Sequence, residues 1–207
     1  MSFAIDRRVL FAGATGLFAA GCSNIIGPLP APKLYVLQPK LPHDLPGSKV
    51  DWALTIQDPE AIASLDSDRI AILLPPANLD YYADAAWADR LPHLVQSALL
   101  AAFESSGRIA AVAPEADAVK SDYVLSTDMR DFEARLDQPQ GAPVAEVRLG
   151  ARVVNARSHE IVAYKSFARE QQAVVNSVEA AVEALAVAFT GVLGELVPWV
   201  LDRSMPA

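Results

Sequence analysis

The chain holds one cysteine, Cys22, and only three histidines, His43, His93 and His159, which stand far apart. A single thiol closes no internal disulfide and builds no multi-cysteine zinc cluster, and isolated imidazoles lack metal-site spacing, so stability must come from packing. Positive charge is also scarce, with 17 Lys and Arg against 25 Asp and Glu and a net charge of −8. Such a surface lacks the clustered cations that release phosphate counterions, which excludes nucleic acid as a partner and offers no electrostatic grip on anionic headgroups. There is no glycine-rich phosphate loop, no Walker motif and no serine in a nucleophile elbow. Asp89 and His93 fall at i and i+4 of an expected helix, where a pair is usually a solvated contact. Asp128, Asp131 and Glu133 read as outward positions of a solvated edge strand, with nothing nearby to act as a nucleophile. No catalytic residue, cofactor or metal is expected.

What the chain does have begins at its N-terminus. Arg7 and Arg8 precede 13 uncharged residues, Val9 to Gly21, which end on the small residues Ala19, Ala20 and Gly21. As a helix that run spans roughly 20 Å, short of the roughly 30 Å hydrocarbon core of a bilayer. Its order of basic, apolar and small segments is that of a secretory signal, so residues 1–21 are excluded from the fold. Ala19-Ala20-Gly21-Cys22 resembles the bacterial lipobox, which implies cleavage between Gly21 and Cys22 and lipidation of Cys22. Two or more acyl chains, at about 0.8 kcal/mol per buried CH₂, anchor a protein stably without a transmembrane helix. Asp6 to Phe11 also looks like a twin-arginine signal, and an ordinary signal of the general secretory route fits equally. Ser23 after the cysteine, where Asp would favour inner-membrane retention, points to the outer membrane.

The remaining length suits one domain. Residues 22–32 are Pro- and Gly-rich and read as a lipidated tether, leaving 33–207 as the domain. Strands are expected at 33–38, 50–56, 69–74, 108–113, 122–136, 147–153 and 161–168. The 122–136 run carries Tyr123, Leu125 and Met129 on one parity and Phe132, Ala134 and Leu136 on the other, which predicts a bulge. A helix should start near Asp89 or Arg90, capped by Asp89, with Pro92 in its first turn and Leu91, Val95, Ala98, Leu99, Ala102 and Phe103 on its buried face. A second, longer helix should follow a capping pair of Asn176 and Glu179 and carry Val178, Val182, Leu185, Phe189, Leu193, Leu196 and Val200 on one face, with Pro198 bending or fraying its end. The order implies an α+β fold in which a largely antiparallel or mixed sheet is covered on one face by two amphipathic helices.

Tyr81, Tyr82 and Trp87 fall within seven residues of each other on the approach to the first helix. Aromatics so placed either seal a helix onto a sheet or anchor an interface, and with Leu91 and Pro92 they form the candidate partner surface. The lipobox, the opening Lys33-Leu-Tyr-Val-Leu strand, the spacing from Tyr81-Tyr82 through Trp87 to Leu91-Pro92 and the terminal helix together resemble the ABC-type transport auxiliary lipoprotein family, a group that includes paraquat-inducible protein C. The resemblance implies a non-catalytic subunit of a lipid-transport system, held by acyl chains on Cys22 at the periplasmic face of the outer membrane. Its implied partners are an MCE-domain periplasmic protein and, through it, an ABC permease and ATPase, with homo-oligomer formation left open. An independent periplasmic lipid carrier and an outer-membrane assembly lipoprotein are the alternatives.

Overall fold

The structure is a computed structural model that describes residues 31–41 and 43–202. The leader, the cleavage position at Gly21, the lipidation position at Cys22 and most of the tether lie outside the described residues. From Pro32 onward the chain is one compact unit. Its strands are β1 (Lys33–Tyr35), β2 (Leu54–Ile56), β3 (Glu60–Ala61), β4 (Arg69–Leu74), β5 (Asn78–Trp87), β6 (Val112–Pro114), β7 (Tyr123–Arg135), β8 (Val144–Asn155) and β9 (Ile161–Gln172), and its helices are α1 (Leu91–Ser105) and α2 (Val178–Leu201).

The sheet is organised around β7. On one side β7 pairs in parallel with β2, β3 and β4 in succession, and on the other it pairs antiparallel with β8 along its whole length. β8 pairs antiparallel with β9, β5 pairs antiparallel with β4 and parallel with β1, and β6 lies parallel to β2. The fold is therefore α+β with a mixed sheet, and its longest ladders are antiparallel. Alternation explains β7 and β8: Tyr123, Leu125, Thr127 and Met129 face the helices with Val147, Leu149, Ala151 and Val153. The register slips between Met129 and Asp131, so the bulge expected from the parity switch is present and turns Phe132 and Ala134 inward.

α2 packs on β8 and β9 and buries Leu185, Phe189, Leu193, Leu196 and Val200 as expected. It is long and apolar enough to cross a bilayer by length and composition, but its apolar face is taken up by the sheet. Phe132 links the layers, lying edge-on to Trp87 of β5 at 6.4 Å and to Phe189 of α2 at 5.6 Å between ring centroids.

Several local expectations change. The stretch before α1 is the ten-residue strand β5, not an approach loop. Asp89 does not cap α1; Arg90 occupies the N-cap without a side-chain bond, and Pro92 stands in the first turn, where its missing N–H costs nothing. α2 is capped by Ser177, whose hydroxyl accepts from the Ala180 N–H at 3.2 Å, one residue beyond the expected Asn176. Pro198 does not fray the helix, which continues to Leu201 and closes with Asp202 N–H on the Pro198 carbonyl at 2.8 Å.

Candidate functional site

The candidate partner surface divides when folded. On β5, Tyr81 is half-buried against the main core, where its hydroxyl donates to the Ser64 carbonyl at 3.1 Å and the Arg69 guanidinium lies 3.5 Å above its ring. Tyr82 packs against Ile72, Ala134, Leu136 and Ala181. Its hydroxyl is buried without a hydrogen-bond partner, and that burial pushes it up to about 12. Trp87, Leu91 and Pro92 are buried. These three side chains seal α1 onto the sheet, and of the five residues Tyr81 and Tyr82, both half-buried, reach the surface.

The acidic residues of β7 do not lie on an edge, because β7 is paired on both sides. Asp128 sits opposite Gly150, where a Cβ would run into its carboxylate. It accepts from Arg130 Nε at 2.7 Å and faces Arg152 Nη2 at 3.2 Å, while Arg148 Nε reaches Asp131 at 2.9 Å. Glu133 is different. It is 8% exposed and accepts the Phe132 N–H at 2.7 Å. Burial pushes its carboxyl up to about 7, and Asp131 and Glu146 add to the effect while the Phe132 N–H and Arg148 oppose it. Asp89 and His93 do meet, His93 Nδ1 to Asp89 Oδ1 at 3.5 Å, in a solvent-facing cluster with Arg90. Among the described residues no group of three or more His, Cys, Asp or Glu could hold a metal ion.

A cleft that was not apparent from the sequence opens where β2 and β7 begin and β8 turns into β9. It is an open space of about 770 Å³ lined by Trp52, Lys120, Asp122, Tyr123, Arg157 and Glu160. Trp52 stands edge-on to Tyr123 at 5.5 Å, and Asp122 accepts the Ala53 N–H at 2.9 Å, which fixes the floor. The Asn155 turn was legible, but only the parallel pairing of β2 with β7 brings Asp51 and Trp52 beside it. The walls combine charged side chains with the Trp52 and Tyr123 rings, so they present both polar and apolar surface.

The model of the ABC-type transport auxiliary lipoprotein component matches residues 35–197, from inside β1 to near the end of α2. The chain belongs to this family. As a transport auxiliary lipoprotein component it also resembles an uncharacterized protein of Bradyrhizobium diazoefficiens, with 31% identity over 147 residues. That alignment covers 71% of this chain and 39% of the relative, so the auxiliary component spans about two fifths of the length of the curated protein it matches. A crystal structure of a Xanthomonas campestris protein is similar with a TM-score of 0.75 at 30% identity, covering 82% of this chain and 95% of that one. A second crystal structure, of an uncharacterized protein, has a TM-score of 0.64 at 14% identity, covers 83% and 99% of the two chains, and bears on the fold alone.

Proposed function

We propose that the protein is the non-catalytic, lipid-anchored subunit of an ABC transport system that moves phospholipid or a related hydrophobic compound across the periplasm. In this reading acyl chains on Cys22 hold it at the periplasmic face of the outer membrane, and residues 22–32 set its reach. The folded part meets an MCE-domain protein that leads to the permease and ATPase in the inner membrane. The observation that carries the reading is the family match, which spans the fold rather than one motif.

With Trp87, Leu91 and Pro92 inside, the partner contact falls on the half-buried Tyr81 and on the outer edge of β9, which among the described residues pairs only with β8. An exposed strand edge offers unpaired backbone groups to another chain, and Lys165, Arg169 and Glu170 along β9 restrict which chain can add there. The test is capture of the tagged full-length protein from solubilised membranes. An MCE-domain subunit should co-purify, and recovery of the protein without one would overturn the reading. Mass analysis of the same preparation should give a chain that starts at an acylated Cys22.

A further inference from the structure

The two ends of the sheet differ in chemistry. A single row of register partners crosses one end: Leu79 with Leu73, Leu73 with Arg135, Arg135 with Val144, and Val144 with Gln172. Beyond that row the chain turns at 75–77, 136–143 and 173–177. The only charged residue in these turns is Asp137, and Arg135 pairs with it. Pro75, Pro76, Ala77 and Pro139 are exposed, and Val174 and Val175 are 83% and 56% exposed. No charge interrupts the segment between Glu170 and Glu179. At the other end, in the segments leading into β2 and β7 and in the β8–β9 turn, stand Lys49, Asp51, Lys120, Asp122, Arg157 and Glu160.

The chain also enters from the uncharged end. β1 runs parallel to β5 with Lys33 opposite Ala85, and β5 leads away from the 75–77 turn, so the start of β1 points toward that side. Lys33 Nζ and the Tyr35 hydroxyl each donate to the Glu179 carboxylate at 2.8 Å. That bond fixes the entry point to the first turn of α2, directly after Val174 and Val175. Cys22 stands 11 residues before Lys33, a reach of at most roughly 36–40 Å. Lys33 lies about four strand residues, roughly 13 Å, below the row that ends the sheet. The segment is long enough for an anchor at Cys22 to let the turns touch the membrane surface.

We propose that this end of the fold rests on the bilayer, with Val174 and Val175 seated in its interfacial layer and the Trp52–Tyr123 cleft turned away from it. The occupant is a lipid surface because the turns are apolar and nearly uncharged, on a protein whose net charge of −8 gives anionic headgroups nothing to attract. The inference rests on the acylation of Cys22 proposed above. Acylation consumes the only native thiol, so V174C and R157C each supply one site for an environment-sensitive fluorophore in the full-length lipoprotein. In vesicles of phosphatidylethanolamine and phosphatidylglycerol, a quencher on the lipid chains should remove most of the emission at position 174 and almost none at 157. An unquenched label at 174 on protein whose mass includes the acyl chains overturns this orientation and leaves the anchor standing. Unquenched emission at 174 together with a bare Cys22 overturns both, and stronger quenching at 157 than at 174 reverses the orientation and so refutes it.

Discussion

The guanidinium of Arg108 donates to the Asp202 carboxylate, Nη1 to Oδ1 at 2.6 Å, just beyond the last turn of α2. Arg108 is 5% exposed, whereas Asp202 is largely in solvent. Its Nε donates to the Ser48 carbonyl at 3.0 Å and its Nη2 to the Leu201 carbonyl at 3.4 Å, so one cation joins the end of α2 to the segment before β2. Charge-assisted bonds of this kind contribute about 1.5–3 kcal/mol when a buried partner is removed. Arg108→Met should cost about 2–3 kcal/mol in urea unfolding, while Asp202→Asn should cost under about 1 kcal/mol because its charge is solvated.

Glu133 makes stability fall as pH rises. Its carboxyl titrates at about 7 in the fold, against about 4.3 in an unfolded chain, so between these values the folded state binds more protons. The contribution is full below about pH 4, is lost as pH climbs to about 7, and levels off above, for a total of up to about 3 kcal/mol. Glu133→Gln keeps an acceptor for the Phe132 N–H and cannot ionise. The variant's advantage over the parent should therefore grow between pH 5 and pH 8 in paired urea titrations, and a constant difference would contradict the assignment.

The cap of α2 separates the two neighbouring candidates. Ser177→Ala removes the bond to the Ala180 N–H and should cost about 1 kcal/mol, while Asn176→Ala should be close to neutral. Thermal unfolding of the two variants side by side decides between them.

The aromatics of β5 should behave differently from one another. Trp87→Ala empties a buried site against Phe132 and should cost about 3–5 kcal/mol. Tyr81→Ala loses a half-buried ring and one bond to the Ser64 carbonyl, so it should leave the protein folded at room temperature. If Tyr81 contributes to the partner contact, capture of the MCE-domain subunit from membranes should drop for Tyr81→Ala at unchanged circular dichroism.

Periodicity revealed those elements whose environment is one-sided. The faces of both helices, the β7–β8–β9 meander and the bulge beside Asp131 were all legible, because each follows from which side of the element meets the core. β5 was not, since Ala83 to Ala86 carries little β-preference and the strand is held by pairing with β4 and β1 rather than by propensity. The acidic run on β7 was misplaced to an edge for a related reason. Its outward carboxylates look solvated in one dimension, and only the pairing with β8 sets arginines at 148 and 152 beside them. Parallel pairings over long sequence distance also hid the charged cleft and the gathering of three turns that share a single charged residue, Asp137, at one end. The aromatic cluster at 81–87 was visible, but its division between core and surface depended on the strand β5 that went unread.

The place of β7 in the sheet governs when this chain can fold. β2, β3 and β4 each need β7 as a parallel neighbour, yet β7 begins at Tyr123 and is made after all of them. As the polypeptide is synthesised, the β4–β5 hairpin, β1 beside β5, α1 and the β2–β6 pair can form without β7, while the parallel pairings of β2, β3 and β4 with β7 wait for their template. Pairings of such long range are slow to form, so the emerging chain cannot close its sheet until its second half is present.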